Sequence, residues 1–284
     1  MSDVSSTPTV WLAVWPGLRA ILITFLGLLL AMTFLERWIV YPAPPVDRGD
    51  WQAPSLQHDD VWFTAPDGTR LHGWLFRHPD PQTAIVYCHG NGEHVADNAE
   101  LVARMRDQLH ATLFIFDYRG YGKSAGAPNE AGVISDGLAA QRWLANHLQL
   151  ETRDLVLMGR SLGGGVATAM AAEQGARALI LVSTFGRMTD VAATHYRWLP
   201  VRLLMCNRYD SIARIQQYKG PLLQSHGTAD QIVPLEMGRQ LFDAAPTSNK
   251  VFYELPGYGH NDIPPASFYH NLAEFLAANT ANRP

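Results

Sequence analysis

Cysteine is scarce in this chain: two residues in 284, Cys88 and Cys206. Two cannot build a disulfide framework or a cysteine zinc site, although a single bridge stays open. Cys88 ends the apolar run A-I-V-Y-C and reads as a small buried hydrophobe. Charge is also thin. Charged residues make up 17% of the chain, the net charge is −4, and no basic stripe exists to recruit nucleic acid. No histidine–carboxylate cluster has metal-ligand spacing, so neither a metal nor a cofactor is expected. Gly122-Lys123-Ser124 looks like the end of a phosphate-binding loop, but position 117, where its first glycine belongs, is Asp117. Asp117 and Arg119 are read instead as ties within their own loop. The opening M-S-D-V-S-S-T carries no lysine or arginine, and Leu35-Glu36-Arg37-Trp38 is a poor cleavage site. Both count against a removable signal peptide.

What is present divides the chain in three. Ala20–Leu35 carries no charge. As a helix its sixteen residues reach only about 24 Å at ~1.5 Å per residue, against a bilayer core of ~30 Å. Apolar neighbours extend the run at both ends: Trp11, Leu12, Val14 and Trp15 before it, Trp38, Ile39, Val40 and Tyr41 after it. Residues 1–41 are therefore expected to form a retained single-pass membrane anchor, with a helix packed on the domain as the remaining alternative. Its orientation is open, because Arg19 on one side and Arg37 and Arg48 on the other give too slight a bias. Residues 42–57 are proline-rich without helical period and read as a semi-rigid spacer. Residues 58–284 should form one catalytic-size domain.

That domain alternates short apolar runs with helical stretches. Val61–Phe63 and Leu71–Phe76 flank the turn signal Pro66-Asp67-Gly68-Thr69 and predict a hairpin. Strands are predicted at Thr83–Cys88, Thr112–Phe116, Leu155–Met158, Ala178–Val182, Pro221–Gln224 and Val251–Leu255. Helices are expected near 95–109, 130–148, 162–174, 235–244 and 266–277. This alternation implies a mostly parallel sheet covered on both faces, and such sheets bind ligands beyond the carboxyl ends of their strands.

At one of those ends stands G-R-S-L-G, residues 159–163. A strand precedes it and a small-residue helix follows, the context in which a G-x-S-x-G serine is a nucleophile. Ser161 then needs a base, and the base needs an acid to orient it. In this architecture they follow in the order serine, acid, histidine. His260, in G-Y-G-H-N-D just past the last strand, fits the base; His226 ends a strand ahead of the acid, and His270 lies within a helix. Asp230, in H-G-T-A-D-Q-I-V-P, fits the acid, with a helix N-cap as its ordinary alternative. An oxyanion hole would take one N–H from Leu162 and a second from the loop H-G-N-G, at Asn91 or Gly92. His89 is expected to shape that loop, and Glu93 and His94 are expected to be exposed loop residues.

The ordered set H-G-N-G, D-Y-R-G-Y-G-K-S, G-R-S-L-G-G, H-G-x-x-D-x-x-V-P and G-x-G-H-N-D resembles the bud-emergence-like branch of the α/β-hydrolase superfamily over about residues 58–278. The resemblance implies an α/β-hydrolase fold, a Ser161/Asp230/His260 triad, and an oxyanion hole at Asn91 and Leu162. It also implies a substrate class, since members include membrane-anchored lipases acting on lysophospholipids or monoacylglycerols, and protein-depalmitoylating thioesterases. The depalmitoylases carry a cysteine-rich N-terminus, and this chain has no cysteine before Cys88. Residues 184–209 are long for a strand-to-helix connection and are expected to form a small cap with an apolar underside for an acyl chain; an ordinary packed helix is the alternative. The sequence thus points to a membrane-bound serine hydrolase of lipid-like esters. A serine aminopeptidase and a non-catalytic binding protein on the same fold are the rivals.

Overall fold

Strands that are apolar on both faces are stable only where helices cover both sides of their sheet. The computed structural model describes residues 9–279, with the side chains of residues 9–14, 28, 31–34 and 54 outside that description. It shows this arrangement around eight strands: β1 Asp59–Thr64, β2 Arg70–Phe76, β3 Thr83–Cys88, β4 Ala111–Phe116, β5 Val156–Arg160, β6 Ala178–Val182, β7 Leu222–Gly227 and β8 Lys250–Leu255. Their spatial order is β1-β2-β4-β3-β5-β6-β7-β8. β2 runs antiparallel to both of its neighbours and the remaining pairs are parallel.

Successive side chains of a strand point to opposite faces, and the inner strands use both. In β3, Val86 and Cys88 enter one core while Ile85 and Tyr87 enter the other; Phe114 and Phe116 of β4 part from Leu113 and Ile115 in the same way. Helices α3 (Glu130–Leu148) and α4 (Leu162–Gln174) cover the first face with Val133, Leu144, Val166 and Met170. Helices α2 (Ala99–Gln108) and α9 (Ala266–Ala278) cover the second with Val102, Met105, Phe268 and Leu272. The edge strand β1 is buried only at alternate positions, as its half-polar sequence D-D-V-W-F-T requires.

The hairpin of β1 and β2 turns at Asp67-Gly68, where Gly68 adopts φ +87° and Asp67 accepts the Thr69 N–H at 3.1 Å. Asn129 caps α3 by accepting the Gly132 N–H at 2.9 Å. Beyond β6 the chain forms α5 (Met188–His195), α6 (Val201–Leu204) and α7 (Ser211–Ile215), then α8 (Leu235–Ala244) follows β7. The sequence reading had no place for α7. Five residues are too few to show a helical period, and only the Asp210 carboxylate accepting the Ala213 N–H marks its start.

The N-terminal segment is one helix, α1 (Thr9–Val40), with Pro16 inside it. The expected membrane-spanning helix is not found in this form. Among the described residues, no helix is long and apolar enough to cross a membrane; the uncharged run Ala20–Leu35 is bounded by Arg19 on one side and Glu36-Arg37 on the other. Residues 1–8, the start of the expected anchor, lie outside the described residues. The proline-rich stretch after α1 is laid along the domain: Trp51 packs against the rings of His72, Trp74 and His94, and Arg48 pairs with Asp97.

Asp117 and Arg119 do tie down their loop. Asp117 accepts the Val95 N–H at 2.9 Å and lies 3.1 Å from His72 Nδ1. Arg119 donates through Nη2 to Asp136 at 2.7 Å and through Nη1 to Asp67 at 2.7 Å, and its own N–H reaches Asp136 at 2.8 Å. The Asp136 side chain is completely buried. Replacing Asp136 with Asn leaves the buried guanidinium with only the half-exposed Asp67 as a charge partner, at an expected cost of up to about 3–5 kcal/mol. Urea unfolding measures it; a loss below about 1 kcal/mol would mean the pair is replaceable.

Candidate active site

Reversal of strand order creates a crevice. β4 lies to one side of β3 and β5 to the other, so the loops leaving β3 and β5 diverge from adjacent strand ends, where Cys88 pairs with Gly159. Crevices at such reversals are where open α/β sheets hold ligands. The loop after β3 carries Asn91, and the turn after β5 carries Ser161.

Ser161 is held at φ +52°, ψ −119°, a conformation that costs a non-glycine residue on the order of 1–3 kcal/mol. Its surroundings enforce this strain. Its N–H donates to Val182 O at 3.0 Å, and its carbonyl accepts the Thr184 hydroxyl at 2.7 Å and the Gly164 N–H at 2.9 Å. The flanking glycines are steric necessities. A Cβ on Gly159 would lie 2.2 Å from Gly163 O, and one on Gly163 would lie 2.0 Å from Cys88 O. The G-x-S-x-G spacing therefore lets α4 press against the ends of β3 and β5 while the serine side chain projects into the crevice.

Two distant side chains meet that hydroxyl. His260 Nε2 lies 2.9 Å from Ser161 Oγ, and His260 Nδ1 lies 2.7 Å from Asp230 Oδ2. A carboxylate only accepts, so Nδ1 carries the proton and Nε2 offers its lone pair to the serine. The other carboxylate oxygen of Asp230 accepts the N–H groups of Ile232 at 2.9 Å and Val233 at 2.8 Å. Burial alone would raise the Asp230 carboxyl, but hydrogen bonds from His226, His260 and the Val233 N–H outweigh it and hold the group well below the usual carboxylate range. Asp230 is thus ionised at neutral pH, as a partner for imidazolium must be.

Leu162 is the first residue of α4, so its N–H has no acceptor within the helix; it lines the cavity above Ser161, as does Asn91. Gly92 does not line that cavity, and its N–H donates to Asn91 Oδ1 at 3.1 Å. The Asn91 side chain is fastened at both ends. Its Nδ2 donates to Val40 O at 2.6 Å, and its Oδ1 accepts the Tyr121 hydroxyl at 2.6 Å.

Three features of the site were not anticipated. His226, read only as the end of a strand, donates from Nε2 to Val233 O at 2.8 Å and lies 3.3 Å from Asp230 Oδ2, so Asp230 has an imidazole on each side. Its place four residues before Asp230 was the available signal. Glu93 and Arg160 form a partly buried ion pair beside the serine. Arg160 also donates to His260 O at 2.9 Å, while Glu93 accepts the Gly90 N–H at 3.2 Å. One ion pair thus links the loops bearing Asn91, Ser161 and His260. The expectation that Glu93 and His94 are exposed is corrected: His94 is fully buried, where its ring and the Asp97 carboxylate cap the turn Val95–Asn98. The third feature is α1, whose last turn reaches the cavity. His89 shapes its loop as expected, donating from Nδ1 to Gly90 O at 2.7 Å.

The cavity over Ser161 has a volume of about 390 Å³. Residues 184–209 supply much of its wall through Phe185, Met188, Val191, Leu199, Val201 and Leu204. A second, more polar cavity of about 550 Å³ adjoins it across Glu93, Arg160 and Asn261, which line both. Both cysteines are free. Cys88 is buried, which pushes its thiol up. Among the described residues, no group of three or more His, Cys, Asp or Glu side chains is placed to hold a metal ion.

The strand order and the strained serine turn after β5 define an α/β-hydrolase fold. The family described as "Serine aminopeptidase, S33" matches residues 79–208. An uncharacterized protein of Mycobacterium tuberculosis is 37% identical over 230 residues, 80% of each chain. Protein bem46 of Schizosaccharomyces pombe is 29% identical over 292 residues, 95% of each chain. Among solved structures, an esterase of Pyrococcus furiosus superposes with a TM-score of 0.68 at 20% identity, covering 83% of this chain and 97% of its own. The chain belongs to the α/β-hydrolase superfamily, in its bud-emergence-like branch.

Proposed function

We propose that the protein is a serine hydrolase that cleaves carboxylic esters of lipid-like character, such as a monoacylglycerol or a lysophospholipid. The observation that carries this reading is His260 hydrogen-bonded between Asp230 and Ser161 at the base of an apolar cavity. Ser161 Oγ attacks the acyl carbonyl as His260 Nε2 takes its proton. The charge that develops on the carbonyl oxygen falls to the N–H groups of Leu162 and Asn91 and to the N-terminus of α4. His260 then gives the proton to the leaving alcohol, and Asp230 stabilises the imidazolium between these events. Water, deprotonated by the same imidazole, releases the acyl group. Every step moves protons and acyl groups only, so the mechanism calls on no cofactor.

An acyl chain suits the cavity because its wall is mainly apolar, with α5 and α6 acting as a cap. An aminopeptidase reading, which the matched family's description raises, needs a carboxylate free to bind a substrate ammonium. The two carboxylates lining the cavity are both engaged, Glu93 with Arg160 and Glu36 with the N–H groups of Cys206 and Asn207. A thioester would meet the same apparatus.

The same reading puts α1 in a membrane as a single-pass anchor, with residues 42–57 as the link to a hydrolase domain of 58–284. Helix α1 offers Ile21, Ile23 and Leu30 to solvent at 68%, 69% and 61% exposure. A stable helix in water keeps such side chains on a covered face, whereas lipid takes them on any face.

A fluorophosphonate probe should label the wild-type protein at Ser161, and p-nitrophenyl esters should be cleaved faster as the acyl group lengthens from acetate. Absent labelling would refute a hydrolase. Rates that fall steadily from acetate to laurate would refute the acyl cavity, and turnover of an aminoacyl-naphthylamide above that of any ester would favour the peptidase.

A further inference from the structure

We propose that the end of α1 and the residue after it, Glu36–Tyr41, form a working part of the active site: Ile39 and Val40 select acyl-chain length, and the Val40 carbonyl holds Asn91 in position. This rests on the ester-hydrolase reading and goes beyond it, since an anchor that only tethers the domain has no reason to touch the site.

Three independent observations support the assignment. Glu36, Ile39 and Val40 line the cavity that contains Ser161. Val40 is the final residue of α1, where helix carbonyls lack intrahelical donors, and its carbonyl is taken by Asn91 Nδ2 at 2.6 Å. The residue it restrains is the one to whose N–H the proposed mechanism assigns the developing oxyanion. Finally, the turn is docked at a cost to the helix itself. Glu36 places a carboxylate near a helix C-terminus, where the dipole disfavours negative charge, and buries it at 7% exposure. Its compensation comes from the cap, through the Asn207 N–H at 2.8 Å, the Cys206 N–H at 3.0 Å and Asn207 Nδ2 at 3.0 Å. The Tyr41 hydroxyl adds a bond to Asn207 Oδ1 at 2.8 Å and lies 3.0 Å from the Tyr209 hydroxyl. A carboxylate that opposes helix stability and satisfies the cap serves to fix the helix end against the site.

The turn therefore acts in two ways. Ile39 is 45% exposed yet lines the cavity, so it sits where the cavity meets solvent, on the helix that carries the exposed apolar side chains. A long acyl chain would pass Ile39 and Val40, whereas an acetyl group would not reach them. Asn91, held between the Val40 carbonyl and Tyr121, keeps its backbone N–H aimed at the reacting carbonyl whatever the chain length.

The test uses the full-length protein and p-nitrophenyl acetate, octanoate and laurate. Ile39→Trp should lower kcat/KM for laurate by about tenfold or more relative to acetate, the scale on which an apolar pocket discriminates. Ile23→Trp, the same change on an exposed position of α1 away from the cavity, should leave the acetate-to-laurate ratio unchanged. Glu36→Ala should lower kcat about tenfold on all three esters, with little change in KM and an equal slowing of fluorophosphonate labelling, as a partial loss of one oxyanion donor predicts. Equal effects of Ile39→Trp on acetate and laurate would overturn the selecting role. An unchanged labelling rate in Glu36→Ala would overturn the positioning role. Ile39 is exposed enough for its variant to fold, so the first result is readable even where Glu36→Ala is produced poorly. These failures with a labelled wild type would reject this inference alone; an unlabelled wild type would reject the hydrolase reading beneath it.

Discussion

Ser161→Ala should lower kcat on any ester the wild type cleaves by on the order of 10⁶, the loss seen when the nucleophile of a cooperating triad is removed. The size of the effect follows from the geometry. The Ser161 hydroxyl stands 2.9 Å from His260 Nε2, so its loss takes from the base the nucleophile it activates and leaves water in its place. Folding should be little altered. The strained backbone at φ +52° is held by main-chain bonds to Val182 and by Thr184, none of which involves the serine hydroxyl, and alanine keeps the same Cβ. The check is a single-turnover assay with mass spectrometry of the intact protein. The wild type should show the mass of one acyl group and the variant none. Activity within tenfold of wild type would remove Ser161 from the chemistry.

The legible parts of this molecule were those where one local requirement dominates. The inner strands could be read because a strand buried on both faces must be a short, nearly unbroken apolar run, and T-A-I-V-Y-C and A-L-I-L-V are such runs. Ser161 could be read because its glycines answer to steric contacts under 2.5 Å. The meeting of His260 with Asp230 and Ser161 followed from chain order in a parallel sheet, which brings successive loops to one edge. Features that depend on how the chain turns and packs, rather than on a local pattern, stayed hidden. His226 looks like a strand residue because it is one; its second relation, to Asp230 across the turn, exists only once β7 ends beside α8. Glu93 and Arg160 are 67 residues apart, and nothing local marks either as the other's partner. The end of α1 was hidden most thoroughly, because an apolar helix read as an anchor suggests lipid on every side. The buried Glu36 was the discordant residue in that stretch, and its meaning required Cys206 and Asn207 to be in place.

Asp230→Asn should lower kcat by about 10⁴, the scale of a triad whose histidine is fixed in the wrong tautomer. The direction in which the new amide must face can be derived. Two backbone N–H groups, from Ile232 and Val233, point at Oδ1. The asparagine must put its carbonyl oxygen there, because its NH₂ would meet two donors. The NH₂ then takes the place of Oδ2, 2.7 Å from His260 Nδ1. A donor at that point is compatible only with an unprotonated Nδ1, so the proton moves to Nε2 and His260 donates toward Ser161 rather than accepting from it. His226 Nε2, which donates to Val233 O and lies 3.3 Å from the same position, is a donor facing the new NH₂; this lowers stability but is outweighed by the two backbone N–H groups at Oδ1. The variant should therefore fold, with some loss of stability at this crowded turn, and label slowly with a fluorophosphonate instead of not at all. Asp230→Ala makes the comparison decisive, since it removes the carboxylate without imposing a tautomer. If the Ala variant is more active than the Asn variant, the tautomer argument holds. If the two are equally impaired, Asp230 acts through its charge alone and the arrangement of amides around Oδ1 has no part in the chemistry.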